Sequence, residues 1–435
     1  MESSNGVPRS HRATQALAVV GAGALVAGAS AMLLDFFGPT IPYRISERLN
    51  CPLDSDEFVQ FLSIITDGTV RPSRLTRLKN GAEFYPEEIE AIRRARHSVN
   101  LEYYTFAEGR VSRDFLDALT ERARAGVEVR VVVDAAGSFQ TRSSYFDGLR
   151  AAGGQMRWYH PLRVRDWHKM NNRTHRKLLV VDGEVGFIGG AGIADCWLYG
   201  TRKAPAWRDT VFRVEGEAVA GLISTFSENW LESSGEILSG PAEFGSLPAS
   251  GGPKGFVVLS TPHGGGTQAR ILFQALIQSA RRSLRITTPY FLPDRSARQA
   301  LVRAARERGV KVQVLTVGAA TDHNAIRRLS EGMSMELIRA GVEFYEYQPG
   351  MIHAKLMTVD GVWTVAGSTN FDHRSFALND EVNVAICDRE VTSVIDQQFT
   401  EDLHSSCRRT ARELRQRSWR VKTLDDLAWV LRREE

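Results

Sequence analysis

The sequence predicts an α/β protein made of two homologous α/β/α sandwich halves related by a pseudo-twofold axis and preceded by an N-terminal hydrophobic helix. Three observations carry this expectation. A motif occurs twice, as His175-Arg-Lys177-Leu-Leu-Val-Val-Asp182-Gly183 and as His353-Ala-Lys355-Leu-Met-Thr-Val-Asp360-Gly361, each closing on a Gly-rich turn the same distance on. Helix-period segments alternate with short apolar, β-branched runs, which points to a sheet with helices on its faces. Between the two copies lies a stretch, 233–255, in which Ser, Gly and Pro fill 14 of 23 positions, and beyond it the order of elements starts again.

Taken in order, residues 1–38 read as an N-terminal membrane anchor or signal segment. No charge interrupts Ala13 to Leu34, and about 20 such residues span a bilayer. Ala29-Ser30-Ala31 also has the form of a signal-peptidase site, so secretion is the alternative to a single retained anchor. Arg9 and Arg12 on one side and Arg44 and Arg48 on the other leave the orientation open.

A connecting region, 39–80, leads to the first half, 81–232. It opens with a helix from Pro86 to His97 and a strand from Val99 to Phe106. A helix from Ser112 to Ala125 and the strand Val127–Val133 follow. The motif strands, a strand from Thr210 to Val214 and a helix from Glu217 to Glu232 complete it. After the linker, the second half, 256–405, repeats the pattern: strand Phe256–Ser260, helix Gln268–Ala280, strand Leu284–Phe291, helix Ser296–Arg308, strand Val310–Val317, helix Asn324–Ala340 and strand Val342–Tyr347. The chain from Val391 on, including a tail at 406–435, reads as helical and highly charged. Its Trp419, Leu424, Leu427, Trp429 and Leu431 suit either a packed core face or an interfacial helix.

At 435 residues and 43% hydrophobic content the chain can bury two ordinary cores, which excludes disorder and a disulfide-stapled miniprotein. A formal charge of +4 is compatible with an anionic partner without requiring one. Cys51, Cys196, Cys387 and Cys407 lack metal-ligand spacing and read as free thiols.

In each motif the Asp-Gly pair between apolar runs signals a two-residue hairpin. Counting back from a tight turn pairs Lys355 with Ala366, His353 with Ser368, and His175 with Gly190. His and Lys then share a strand face beside glycine backbone, a pocket suited to phosphate. In-line displacement at phosphorus needs a nucleophile on one side and an acid on the other, and two such halves supply both. Histidine can serve as nucleophile, base or acid near neutral pH. The lysines neutralise non-bridging oxygens. His175, Lys177, Asp182, His353, Lys355 and Asp360 are thus the candidate catalytic set, the two aspartates acting in it as hairpin and scaffold residues. No metal or other cofactor is expected, because the motif lacks the carboxylate clusters of a magnesium or two-metal site.

Both motifs resemble the H-x-K-x4-D-x6-G-S/G pattern of the phospholipase D superfamily. The likeness extends to Glu102-Tyr-Tyr-Thr-Phe106, Asp134-Ala-Ala-Gly-Ser138, Trp207-Arg-Asp209, Thr288-Pro-Tyr-Phe-Leu-Pro293 and Asn370-Phe-Asp-His-Arg-Ser375, and is similar to the bacterial cardiolipin synthase branch. The resemblance implies the phospholipase D fold and a phosphatidyltransferase working through a phosphohistidine. One phosphatidylglycerol would give its phosphatidyl group to another, with release of glycerol, at a bacterial cell membrane. Hydrolysis of phospholipid to phosphatidic acid is the alternative, followed by metal-independent phosphodiesterase action on nucleic acid, although no nucleic-acid partner is expected.

By the same resemblance one histidine attacks phosphorus and the other is the acid/base; His175 is assigned as the nucleophile and His353 as the acid/base, an order that neither the resemblance nor the residues fix. Asp209 and Glu381 hold the histidine tautomers, and Gly190, Ser368 and Asn370 contact substrate. One departure stands out: Gly192 occupies the position where the pattern carries Asn. The basic stretch Arg163–Arg173 reads either as an entrance for an anionic headgroup or as a solvated loop.

Overall fold

The computed structural model describes residues 43–47, 50–161, 171–202, 204–240, 251–262, 267–322 and 324–415. The expected anchor, residues 241–250 of the linker, residues 163–170 of the basic stretch and residues 416–435 of the tail lie outside the described residues. Among the described residues no helix is long and apolar enough to cross a membrane.

The motif strands Lys177–Val181 and Leu356–Val359 are buried along their whole length. That is why they read as continuous apolar runs rather than as alternating ones. Among the described residues they sit in one mixed sheet of 16 strands that runs through both halves. Across the first half the order is Gln155–Tyr159, Glu128–Asp134, Ser98–Tyr103, Lys177–Val181, Val185–Gly189, Thr210–Gly216 and Arg71–Lys79. Across the second it is Glu343–Tyr347, Lys311–Val317, Ser283–Thr287, Leu356–Val359, Trp363–Gly367, Asn379–Cys387 and Lys254–Ser260. Order and direction match strand for strand. In each half three parallel strands are followed by antiparallel ones beginning at the motif strand. The halves join edge to edge, Arg71 opposite Gly255 and Pro72 opposite Lys254.

Helices cover both faces. Gly81–Arg94 and Arg110–Arg124 pack on one face of the first half, and Gln268–Ser279 and Arg295–Arg306 on that of the second. The opposite face carries Val219–Ser234 and Arg389–His404. Here Leu222, Phe226 and Ile395 join Leu178, Phe212, Leu356 and Val384 in a core that is continuous across the seam. The halves are therefore one folded body.

Several elements differ from the sequence expectation for identifiable reasons. Within the expected connecting region, the helix Asp56–Ile65 is capped by Ser55 and buries Phe58, Val59 and Leu62 in the core of the second half. The Trp363 indole N–H donates to Leu53 O at 2.7 Å beside it. The strand expected over 284–291 stops at Thr287, because Pro289 cannot donate to the ladder; Phe291–Leu292 instead pairs with Phe371–Asp372. In the tail, Ser406–Arg409 is a strand on the open edge of Glu343–Tyr347, a correction to the all-helical expectation. Arg409 and Arg408 face Glu346 and Glu343 across that edge, and such opposite-charge pairs favour the added strand.

Candidate functional site

Each motif turn has the expected chemistry, with Asp182 and Gly183 at φ 53° and 66° and Asp360 and Gly361 at 54° and 68°. The register nevertheless shifts by one. Val181 pairs with Val185 and Val359 with Trp363, leaving Glu184 and Val362 as an extra residue on the returning strand. Leu356, not Lys355, therefore lies opposite Ala366, and the Lys355 carbonyl accepts from Gly367 N at 3.3 Å. The expected pairings of His353 with Ser368 and of His175 with Gly190 are not formed, because the ladders end at Leu356 and Leu178.

The aspartates hold this scaffold together. Asp182 accepts from the backbone N–H groups of Arg96, His97 and Ser98, and Asp360 from those of Arg281, Arg282 and Ser283. They tie each hairpin to the start of the neighbouring parallel strand. That places them at the far end of the motif strands from the His-Lys pairs.

What brings the two motifs together is stitching across the seam. Arg173–Thr174 pairs in parallel with Asn379–Asp380, and His175 N donates to Asp380 O at 2.9 Å. Symmetrically, Ile352 bridges to Arg208, and His353 N donates to Arg208 O at 2.7 Å. The next residue along each of these partner segments is an acid, so each half's carboxylate meets the other half's histidine. His175 Nδ1 lies 2.9 and 3.1 Å from the Glu381 oxygens, and His353 Nδ1 lies 3.1 Å from Asp209 Oδ2. The Nε2 atoms are left outside these bonds to the acids.

Lys177 Nζ donates to His175 O and Lys355 Nζ to His353 O, both at 2.5 Å. Lys355 Nζ also lies 2.8 Å from His353 Nδ1 and 3.2 Å from Nε2. Nδ1 has one proton to give, and it goes to Asp209; the ammonium acts on the ring through its charge.

Four cationic or potentially cationic groups buried together disfavour one another. Burial, reinforced by Lys177, Lys355, His353 and Arg374, holds His175 well below the ordinary histidine range. Burial and Lys355 bring His353 down to about 4 despite Asp209. Burial lowers Lys355 to about 8, and burial with the neighbouring Lys355 charge lowers Lys177 as well. The two acids diverge. Burial raises Glu381 to about 7 against the pull of Lys177 and of the Ser368 and Ser375 hydroxyls. Burial also works to raise Asp209, but its bond from His353 and the His353 and Lys355 charges outweigh that, and it is held below the usual carboxylate range.

The three residues expected to contact substrate separate. The Ser368 hydroxyl is fully buried and donates to Glu381 Oε2, so it orients the acid rather than facing phosphate. Gly190 is a close-approach position: a Cβ there would stand 2.5 Å from His353 O and 2.6 Å from Asp209 Oδ1. Asn370 is buried, and its Oδ1 has no partner among the described residues, leaving an acceptor for a bound hydroxyl or water.

The departure at Gly192 has a physical reason, since a Cβ there would lie 2.9 Å from Thr105 Cβ and 3.1 Å from the Trp197 ring. Trp197 occupies that space, and its indole N–H donates to Asp209 Oδ2 at 2.9 Å. Sequence reasoning missed Trp197 and its counterpart Ser375, which bonds Glu381. Each stands seven positions past the turn, counting from Gly190 and from Ser368, so extending the alignment of the two copies would have found them. It also missed Tyr104, whose ring stands edge-on to His175 at 5.2 Å.

The comparisons with known proteins agree with this geometry. The family described as "Cardiolipin synthase, PLD-like domain" matches residues 89–197 and 273–403, one segment in each half. A probable cardiolipin synthase of Bacillus subtilis (strain 168) is 36% identical over 336 residues, 77% of this chain and 67% of that protein. A cardiolipin synthase of Geobacillus thermodenitrificans is 34% identical over 365 residues, 82% of this chain and 72% of that protein. Among solved structures, a phosphatidylserine synthase of Haemophilus influenzae superposes with a TM-score of 0.65 at 16% identity, covering 86% of this chain and 97% of that one. A polyphosphate kinase of Porphyromonas gingivalis gives 0.54 at 12%, covering 85% and 52%; at these identities both show the fold alone. With a family match in each half and relatives above 30% identity over most of its length, the chain belongs to the cardiolipin synthase family of phospholipase D-like enzymes.

Proposed function

We propose that the chain transfers a phosphatidyl group from one phosphatidylglycerol to another, releasing glycerol, with His175 as nucleophile and His353 as acid and then base. The observation that carries this reading is the crossed arrangement, in which two His-Lys pairs share one buried site and each histidine is held by the other half's acid. His175, neutral and paired with the weakly acidic Glu381, is ready to attack phosphorus through Nε2. His353 rests on an ionised Asp209, which pulls it toward the imidazolium against the burial and Lys355 charge that hold it at about 4, so His353 takes up the proton it gives to departing glycerol oxygen as the negative phosphate enters beside it. Lys177 and Lys355 offset charge on the non-bridging oxygens, an effect strengthened by their burial. In the second step the acceptor hydroxyl gives its proton to His353 and attacks the phosphohistidine.

We further propose that residues 1–38 anchor the enzyme to the bacterial membrane and that 81–232 and 256–405 are its two functional halves. Asp182 and Asp360 act through the scaffold, and Gly190 and Asn370 shape the substrate pocket. Incubation with labelled phosphatidylglycerol in the presence of chelator is expected to yield cardiolipin and glycerol. Phosphatidic acid as the sole lipid product would replace the transferase reading with a hydrolase.

The pH dependence follows from Lys355. Its charged form is present below about pH 8 and is lost as pH rises through that value, so kcat/KM falls on the alkaline side near pH 8. Lys355→Arg keeps its charge at higher pH, and its alkaline limb moves up by about one pH unit or more even if its plateau is lower. An unshifted limb in that variant would assign the titration to another group.

A further inference from the structure

The two halves differ most beside their histidines. Ser375 and Trp197 occupy equivalent positions and both donate to an orienting acid, but only Trp197 brings a ring to the reactive imidazole, 5.4 Å away at 82°. A second indole, Trp207, lies 5.5 Å from His353 and 4.5 Å from Trp197. On the other side, Tyr104 is the ring against His175 among the described residues. Trp197 is buried and fixed by Asp209, whereas Trp207 is half-buried. Backbone bonds hold Trp207 between the halves, from Trp207 N to Cys196 O at 3.0 Å and from Arg208 N to Met351 O at 2.8 Å.

His353 is the group past which an acceptor must deliver its hydroxyl. Water and an alcohol differ little as nucleophiles, and water is far more abundant, so transfer requires a site that holds water away. Two indole faces offer few hydrogen bonds to water, yet they pack well against the carbon face of a glycerol headgroup.

We propose that Trp207, set edge-on against Trp197 at 60°, is the residue that selects an alcohol over water as the acceptor at His353. The proposal rests on the phosphatidyl-transfer reading and concerns its second step. There the acceptor oxygen forms a bond to phosphorus and the phosphorus–Nε2 bond of His175 breaks. Its electron pair returns to Nε2, and the hydroxyl proton passes to His353. With water in place of the alcohol, the same step releases phosphatidic acid.

The test is the ratio of phosphatidic acid to cardiolipin made from phosphatidylglycerol vesicles by the wild-type protein, Trp207→Ala, Trp207→Leu and Trp207→Phe. Loss of folded enzyme lowers both products together and leaves the ratio unchanged. The ratio is expected to rise about fivefold or more in Trp207→Ala and Trp207→Leu. In Trp207→Phe, where an aromatic face remains, it should stay within about twofold of wild type. A wild-type ratio in whichever of the Ala and Leu variants turns over, or no product from either, overturns the proposal. Wild-type protein that forms no cardiolipin would instead remove the transfer reading itself.

Discussion

His175→Ala is expected to lower cardiolipin formation by at least about 10,000-fold, the scale seen when a nucleophile that works as part of a unit is removed. The imidazole is buried, its Nδ1 is committed to Glu381, and the neighbouring Lys177 cannot take over an attack through a nitrogen that lies against the His175 carbonyl. His353→Ala should be as damaging with phosphatidylglycerol, because a glycerol oxygen needs a proton to leave. A donor whose leaving group is a nitrophenolate separates the two roles. Nitrophenolate departs without a proton, so His353→Ala should retain a single-turnover burst within about tenfold of wild type, while His175→Ala gives none. A burst retained by His175→Ala and absent in His353→Ala would exchange the assignments.

Asp209→Asn is expected to reduce turnover by about 10,000-fold with the fold intact, the size of effect seen when a histidine is left in the wrong tautomer. An amide has one accepting oxygen, so its NH2 is turned either on the Thr210 N–H or on His353 Nδ1 and the Trp197 indole, and it removes the charge that favours the imidazolium. The crossing makes this prediction specific. Asp209 lies in the first half but serves the histidine of the second, so Asp209→Asn should spare the nitrophenolate burst. Glu381→Gln, acting on His175, should slow it. The opposite pattern would mean that each acid serves the histidine of its own half.

The two His-Lys pairs were legible as a candidate site because their spacing is repeated: one His-x-Lys could be any strand edge, and two with identical offsets could not. The element order of both halves followed from the same periodicity. The crossing of the acids was not legible, since it arises from Arg173–Thr174 pairing with a strand some 200 residues away and from Ile352 bridging to Arg208 some 140 residues away, and nothing local encodes that. The hairpin register failed for a smaller reason. Asp-Gly announced the turn, but Glu184 and Val362 carry no mark that they are left over when pairing begins. Ser368 misled in a third way, because a hydroxyl beside a glycine suits phosphate and a buried carboxylate equally, and only the position of Glu381 decides between them.

The unequal surroundings of the histidines also explain why a near-symmetric fold can divide labour. Just ahead of the first motif strand, Arg176, between His175 and Lys177, bonds Thr225 O and Glu228, and Thr174 bonds the buried Glu102. The second motif has Ala354 and Ile352 at these places, packed among apolar side chains. With Ser375 against Trp197 and Asn370 against Gly192, the two ends of the site present different chemistry to a phosphodiester lying between them.

The central claim is a phosphatidyl group carried on His175, and trapping that intermediate tests it most directly. The wild-type protein is mixed with phosphatidylglycerol, quenched in denaturant at mildly alkaline pH where a phosphorus–nitrogen bond survives, and digested for mass spectrometry. The phosphatidyl mass is expected on the peptide that contains His175 and not on the peptide that contains His353. A label on His353, or turnover with no phosphorus on either histidine, would contradict it.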